Sequence, residues 1–278
     1  MGQHQAITMP PVTAAVPLRR RLLGVLGGMG PLATADFLRK LIELTPAACD
    51  QEHVPLIVYS VPQIPDRSSC IEGRGASPLP AMLAGLRCLE AAGAEIIAMP
   101  CNTAHYWYDP LCRQTGAEFL HIVDTVADAL LRQNVAACPV GLLATTGTIR
   151  ADIYGSRLAG RGYSLILPGA RQQEDLVMAG IRAVKAGRLS QAHGLLQSAA
   201  ADLAAAGARA VILGCTEIPL ALPQTDWRLD VARIDATEAL AQACIARSLA
   251  VSVSAVPAQT ATTLAAATLA AATLAEAV

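Results

Sequence analysis

The strongest constraint on this chain is that one unit occurs in it twice. Leu22–Leu26 is a short apolar run that stops at Gly27-Gly28-Met29-Gly30-Pro31, and a helical pattern follows over Ala33–Leu44. Strand, glycine-rich turn and helix in that order form the building unit of an α/β sheet. Pro55–Val61 reads as a second strand, Leu79–Ala92 as an amphipathic helix stopped by Gly93, and Glu95–Met99 as a third strand closing at Pro100-Cys101. Asn102–Leu111 then begins a helix. The series restarts at Val140–Ala144, followed by Thr145-Thr146-Gly147-Thr148 and a helix. It continues through strand Tyr163–Leu167, helices Glu174–Ala186 and Leu189–Ala206, and strand Ala210–Leu213 closing at Gly214-Cys215. A short strand, Val231–Ile234, and a last helix, Ala236–Leu249, complete it. Gly24 and Cys101 are 77 residues apart, Gly141 and Cys215 are 74 apart, so the two copies keep step to three residues.

That repeat predicts an α/β chain of two pseudo-symmetric Rossmann-like lobes, each with a parallel sheet, and the active site in the cleft between them. Open α/β sheets place ligands beyond the C-terminal ends of their strands, which is where both cysteines fall. The expected organisation is a loose tail over 1–20, a first lobe over 21–124, a second over 125–234, and a final helix over 235–250 that packs back on the first lobe. The remainder, 251–278, is Ala/Thr-rich. Its five-residue repeat, Leu264–Thr268, Leu269–Thr273 and Leu274–Val278, steps about 140° around a helix, so its leucines share no face. A frayed helix or disorder is expected there, with no function.

A hydrophobic content of 53% gives enough apolar surface for a core and excludes intrinsic disorder. The net charge of −1 leaves no basic footprint, so neither nucleic acid nor an anionic membrane is expected as a partner. No stretch reads as a span of large apolar residues. In the N-terminal segment the arginines follow the apolar residues, which is not a signal-peptide pattern, and a cytoplasmic location is expected. None of the eight cysteines forms a C-x-x-C pair, so zinc-ribbon and thioredoxin-like readings fall away and most thiols are expected reduced and buried.

The turn Gly24-Val-Leu-Gly27-Gly28-Met29-Gly30 is not G-x-G-x-x-G, and no P-loop lysine follows it. A tight turn explains it, as does a backbone cradle for a small carboxylate at a helix N-terminus; the cradle is favoured over a dinucleotide site. Cys101 and Cys215 stand apart from the other cysteines because they occupy matching positions in the two copies. A thiolate at a helix N-terminus is favoured by the positive end of the dipole. His105, one turn beyond Cys101, offers a Cys-His alternative, but an ordinary polar role fits it better, and a Cys-His device would not explain Cys215. No H-E-x-x-H or G-x-S-x-G motif occurs, and the histidines show no ligand spacing, so no metal is expected.

Gly27-Gly28-Met29-Gly30-Pro31, Pro62-Gln-Ile-Pro-Asp66-Arg67, Met99-Pro100-Cys101-Asn102-Thr103-Ala-His105, Leu143-Ala-Thr145-Thr146-Gly147-Thr148 and Gly214-Cys215-Thr216-Glu217-Ile218-Pro219 together resemble the aspartate/glutamate racemase family, in order from about Arg21 to Leu249. The resemblance implies two α/β lobes, independence from pyridoxal phosphate and any other cofactor, a small acidic amino acid as substrate, and a homodimer. It implies that Cys101 and Cys215 act as paired acid and base on opposite faces of the α-carbon. Asn102, Thr103 and Thr216 would bind the α-carboxylate, with Thr146 and Thr148 as further contacts and Met29 at the first turn. Arg67, 34 residues before the first cysteine, and Lys185, 30 before the second, would grip the substrate's side-chain carboxylate. Glu217 would orient Cys215 or tune its protonation. Aspartate is the first expectation and glutamate the second. The alternatives are a hydantoin racemase, maleate isomerase or decarboxylase of the same superfold, a racemase of broad specificity, and a non-catalytic amino-acid-binding protein.

Overall fold

Parallel strands covered on both faces read as near-continuous apolar runs, and the strands that open and close each repeat fold that way. In the computed structural model, which describes Arg20–Ala250, Leu23–Gly27 (β1) is buried along its whole length. It is followed by Pro31–Leu44 (α1), Leu56–Ser60 (β2), Arg67–Ile71 (α2), Leu79–Ala91 (α3) and Ile96–Ala98 (β3). Next come Tyr108–Cys112 (α4), Glu118–Phe119 (β4) and Ile122–Arg132 (α5). The second series is Pro139–Leu143 (β5), Thr146–Arg150 (α6), Gly155–Ala159 (α7), Ser164–Ile166 (β6), Ala170–Gln172 (α8), a π-helical Gln173–Met178, and Ala179–Lys185 (α9). It closes with Leu189–Ala205 (α10), Ala210–Leu213 (β7), Ile218–Ala221 (α11), Ala232–Asp235 (β8) and Ala236–Leu249 (α12). The tails expected to be loose, and the Ala/Thr repeat, lie outside the described residues.

The two sheets have the same topology. One runs β2-β1-β3-β4 and the other β6-β5-β7-β8, and every pairing is parallel. In each, the chain reverses direction across the sheet between its first and third strands. The crevice at that switch point is where such sheets bind ligands. The internal repeat also shows in packing. A Cβ on Gly24 would meet the Ala94 Cβ at 2.8 Å, and one on Gly141 would meet the Leu203 Cβ at 3.0 Å. In both lobes the opening strand therefore carries glycine where the covering helix and its exit come closest.

Several segments depart from the expected pattern. Residues 102–111 do not form one helix: Thr103–Trp107 is a 3₁₀ turn before the short α4. The helix expected over 174–186 is broken by the π-helical turn. The sequence pattern also misses β4, which is only two residues long, and α5, which lacks glycine or proline punctuation and is capped by a histidine ring: His121 Nδ1 accepts from the Val123 amide at 3.2 Å.

One core spans both lobes. Leu23, Val25 and Phe37 of the first copy and Val140, Leu142 and Tyr154 of the second lie in a single buried cluster with α5 and α12 residues such as Val126, Leu130, Leu240 and Ile245. The outer faces of the two sheets bury separate clusters around Leu86 and Leu196. α12 packs on both α1 and α5. A buried ionic junction fixes its start. Asp235 Oδ1 accepts from the amides of Thr237 at 2.9 Å and Glu238 at 3.1 Å, capping the helix. Its other oxygen takes Lys40 of α1 at 2.7 Å and Arg233 at 3.2 Å, and Lys40 also pairs with Asp36 at 2.7 Å. Among the described residues no helix is long and apolar enough to cross a membrane.

Removing one member of a buried, hydrogen-bonded charge group leaves its partners uncompensated, at a cost of about 3–5 kcal/mol. Asp235→Ala should therefore lower the thermal midpoint by roughly 10 °C in a calorimetric scan, at about 2–4 °C per kcal/mol for a domain of this size. Arg39→Ala, which breaks an exposed pair with Glu43 and a half-exposed one with Asp36, should move it far less. Equal shifts would show that Asp235 is not the junction described.

Candidate active site

The loops beyond β1 and β3 meet those beyond β5 and β7, as the switch-point topology requires. Met29, Asp66, Arg67, Ser68, Cys101, Asn102, Thr103, Thr145, Lys185, Cys215, Thr216 and Glu217 line one inner chamber of about 20 Å³. That is room for about one water, less than an amino acid occupies. A wider vestibule of about 370 Å³ shares Asp66, Arg67, Lys185 and Glu217 with the chamber and adds Pro31, Leu32, Pro62, Ile64 and Val184. Both cysteines are buried, each 5% exposed.

The lobes touch through small groups. Gly147 of α6 faces Ser68 of α2 so closely that a Cβ there would sit 2.7 Å from the serine Oγ. The Thr103 hydroxyl lies 2.9 Å from those of both Thr145 and Thr148, which are 3.0 Å apart. Thr145 also caps α6, accepting from the Thr148 amide at 3.1 Å. Thr145 thus lines the chamber while Thr148, 1% exposed, backs it. Thr146 is half-buried and turned toward the π-helical turn: Gln173 Nε2 donates to its hydroxyl at 3.3 Å and Met178 Sδ accepts from its amide at 3.4 Å. Neither Thr146 nor Thr148 is among the chamber-lining residues, and nor is His105, whereas Met29, Arg67, Cys101, Asn102, Thr103, Lys185, Cys215, Thr216 and Glu217 are.

Two buried donors in the chamber have no partner. The Arg67 guanidinium is held by the carbonyls of Ile64 (3.2 Å), Pro65 (3.1 Å) and Met29 (3.2 Å), while its Nε–H is buried and unpaired. Asn102 Nδ2 is likewise buried and unpaired, its Oδ1 accepting from the Tyr154 hydroxyl at 2.6 Å. Buried polar groups are otherwise almost always satisfied, so an arginine and an amide left open in one chamber mark a site for acceptor atoms. The glycine turn contributes less than expected as a backbone cradle. The Gly28 amide is committed to the Thr34 hydroxyl at 2.9 Å, and that hydroxyl donates in turn to the Gly30 carbonyl at 2.9 Å.

The two thiols differ in surroundings. Cys215 donates to Glu217 Oε2 at 3.0 Å, and burial together with that carboxylate pushes the thiol well above its usual range. Lys185 Nζ lies 3.8 Å from the other Glu217 oxygen. Burial would lower the lysine, but Glu217 and the two cysteines raise it, so it stays an ammonium at the C-terminal end of α9. Asp66 caps α2 by accepting from the Ser69 amide at 2.8 Å. Burial opposes its ionisation, but that bond and the charges of Arg67 and Lys185 hold its carboxyl below the usual value. His105 has neither ring nitrogen free. Nδ1 bonds to the Cys101 carbonyl at 2.9 Å and Nε2 accepts from the Ile122 amide at 3.1 Å, and burial lowers it to about 4. It is a neutral brace behind the first cysteine, not a base. Among the described residues no group of three or more His, Cys, Asp or Glu side chains is placed to hold a metal ion.

The residues Asp66, Ser68, Thr145 and Tyr154 were not singled out from the sequence. Asp66 and Thr145 lay inside motifs already noted. Ser68 and Tyr154 carried no local signal, because their partners come from the other lobe.

Comparison with known proteins places the chain among racemases. The sequence model of the family Asp/Glu/Hydantoin racemase matches residues 26–244. An aspartate racemase from Picrophilus torridus superposes with a TM-score of 0.72 at 31% identity, covering 82% of this chain and 94% of that one. An aspartate racemase homologue from Pyrococcus horikoshii OT3 superposes with a TM-score of 0.64 at 27% identity, covering 81% and 97%. The broad specificity amino-acid racemase RacX of Bacillus subtilis is 28% identical over 82% of this chain and 99% of its own length.

The Cys215–Glu217 contact makes a prediction that needs no substrate. Alkylation requires the thiolate, and a neighbouring negative charge keeps the thiol protonated. Glu217→Gln should therefore move the onset of Cys215 labelling by iodoacetamide to lower pH, read by mass spectrometry of the Cys215 peptide. An unchanged or higher onset would mean that Glu217 does not control this thiol.

Proposed function

The chain belongs to the Asp/Glu/Hydantoin racemase family, and on that premise we propose that it interconverts the enantiomers of an acidic amino acid, aspartate first and glutamate second. The reaction is cofactor-independent and moves the α-proton between Cys101 and Cys215. One observation carries the reading: two thiols from matching positions of the two lobes share a buried chamber with two unpartnered donors, Asn102 Nδ2 and Arg67 Nε.

Racemisation requires a base on one face of the α-carbon and an acid on the other. Cys215, hydrogen-bonded to Glu217, is the thiol held protonated, which makes Cys101 the base when the α-hydrogen faces the first lobe. Cys101 removes that proton and Cys215 delivers its own to the opposite face. For the other enantiomer the roles exchange. The α-proton is very weakly acidic, so charge developing on the α-carboxylate must be met by donors already in place. This reading assigns that task to Asn102, whose Nδ2 has no partner, with Thr103 and Thr216 beside it in the chamber lining. Arg67 and Lys185, between chamber and vestibule, suit a second carboxylate at the end of a short side chain. A second reading, broad specificity, is favoured by the apolar side of the vestibule, where Leu32, Ile64 and Val184 could hold a larger neutral side chain. The broad specificity of the Bacillus subtilis relative points the same way.

Incubation of the reduced protein with single amino acids in D₂O, with no cofactor added, should remove the aspartate α-proton signal from the NMR spectrum. Cys101→Ala and Cys215→Ala should each slow this by about 10²–10⁴-fold, the usual size of a general acid–base contribution. Undiminished exchange in Cys101→Ala would sink the two-base scheme. Arg67→Ala and Lys185→Ala should weaken aspartate turnover far more than that of any neutral amino acid. Equal turnover of neutral amino acids by the native chain would replace the acidic-substrate reading with the broad one.

A further inference from the structure

Tyr154 is 1% exposed and among the largest fully buried side chains of the protein. A buried phenol needs a partner for its hydroxyl. Here the one hydrogen bond that the hydroxyl makes among the described residues is to Asn102 Oδ1, at 2.6 Å. The two residues come from different lobes, Asn102 after β3 and Tyr154 at the start of α7. The bond therefore forms only where the lobes meet.

The proton inventory decides which way the amide faces. If the Asn102 amide were turned over, its NH₂ would donate to the phenol oxygen and the phenol proton would be left with no acceptor. Asn102 Oδ1 would then face the chamber, where a carboxylate would meet a carbonyl oxygen. With Tyr154 as donor, the phenol is satisfied, Oδ1 is satisfied, and the one group left open is Nδ2, which is buried without a partner and sits on a chamber-lining residue. Burial, reinforced by Cys215 and Asp235, raises the phenol far above its ordinary value, so it remains a donor through the working pH range.

We propose that Tyr154 is a positioning residue: reaching across from the second lobe, it locks the Asn102 amide with its N–H groups turned to the substrate's α-carboxylate. The inference rests on the racemase reading given above. It adds that the packing of one lobe on the other sets this donor, since the phenol and the amide come from different lobes.

Tyr154→Phe keeps the ring and removes the hydroxyl. It should lower kcat/KM for α-proton exchange about tenfold in the native background and less than twofold in an Asn102→Ala background. A Tyr154 that served packing alone would cost the same factor in both. The side-chain amide pair of Asn102, identified in an ¹⁵N-correlated spectrum as the pair missing from Asn102→Ala, should differ in position between the ligand-free native chain and Tyr154→Phe. Native kcat/KM in Tyr154→Phe, an equal loss in both backgrounds, or an unmoved amide pair would each overturn the proposal. If the native chain exchanges no α-proton, the proposed function fails on its own account, and the ligand-free amide comparison still decides for or against Tyr154.

Discussion

A single carboxylate organises the way the two halves of this protein are joined. Asp235 ends β8 in the second sheet, caps α12 with one oxygen and receives Lys40 of α1 and Arg233 with the other. Both cations and both carboxylates of the group are buried, so the charges balance where water cannot screen them. Such a junction tolerates little displacement, because each member is expensive to leave unpaired. It fixes the last helix against the first lobe, and the last helix shares its core with both sheets. Two copies of an open sheet, each with its own switch point, are thereby held with those switch points facing one another.

The seam that results is built from polar contacts, most of them between small side chains. Ser68 against Gly147, the Thr103–Thr145–Thr148 hydroxyls and the Tyr154–Asn102 bond all cross from one lobe to the other. Contacts of this kind are individually weak and reversible, unlike the apolar core beneath them. Several of these residues also line the chamber of about 20 Å³. The ionic junction and the core join the lobes on one side, and the hydroxyl contacts join them on the other. The groups that would meet the substrate are each supported from behind: His105 braces the Cys101 carbonyl, Tyr154 holds Asn102, and the Met29, Ile64 and Pro65 carbonyls hold Arg67.

The parts of this arrangement that are legible in the sequence are those encoded locally. Apolar runs ending at glycine, at Pro100-Cys101 or at Thr145-Thr146 mark β1, β3, β5 and β7 because buried parallel strands need nothing but local hydrophobicity. Cys101 and Cys215 stand out because the repeat puts them in register. Helix α5 is not legible, since it begins at a histidine cap rather than Ser, Thr, Asp or Asn and carries no terminating glycine. The choice among Thr145, Thr146 and Thr148 depends on the rotation of α6 and on the π-helical turn that draws Thr146 aside. Tyr154 and Ser68 acquire their roles only from residues some fifty and eighty positions away, a relation that no spacing rule expresses.

The repeat is also broken where the chemistry would happen. The first cysteine is followed by Asn102 and Thr103, the second by Thr216 and Glu217, and only the second thiol donates to a carboxylate. In a racemisation the two enantiomers have equal free energy, so kcat/KM must be the same in both directions whatever the site looks like. Asymmetry between the thiols cannot favour one product at equilibrium. It can decide which protonation form of the free protein predominates, and hence which enantiomer finds its base already ionised. Glu217 holds Cys215 as the acid, so the proposed resting form is poised for the enantiomer whose α-hydrogen faces Cys101. The form left after that turnover carries its proton on Cys101 and must return before the next. Lys185, 3.8 Å from Glu217, works against that hold, because its positive charge favours the Cys215 thiolate.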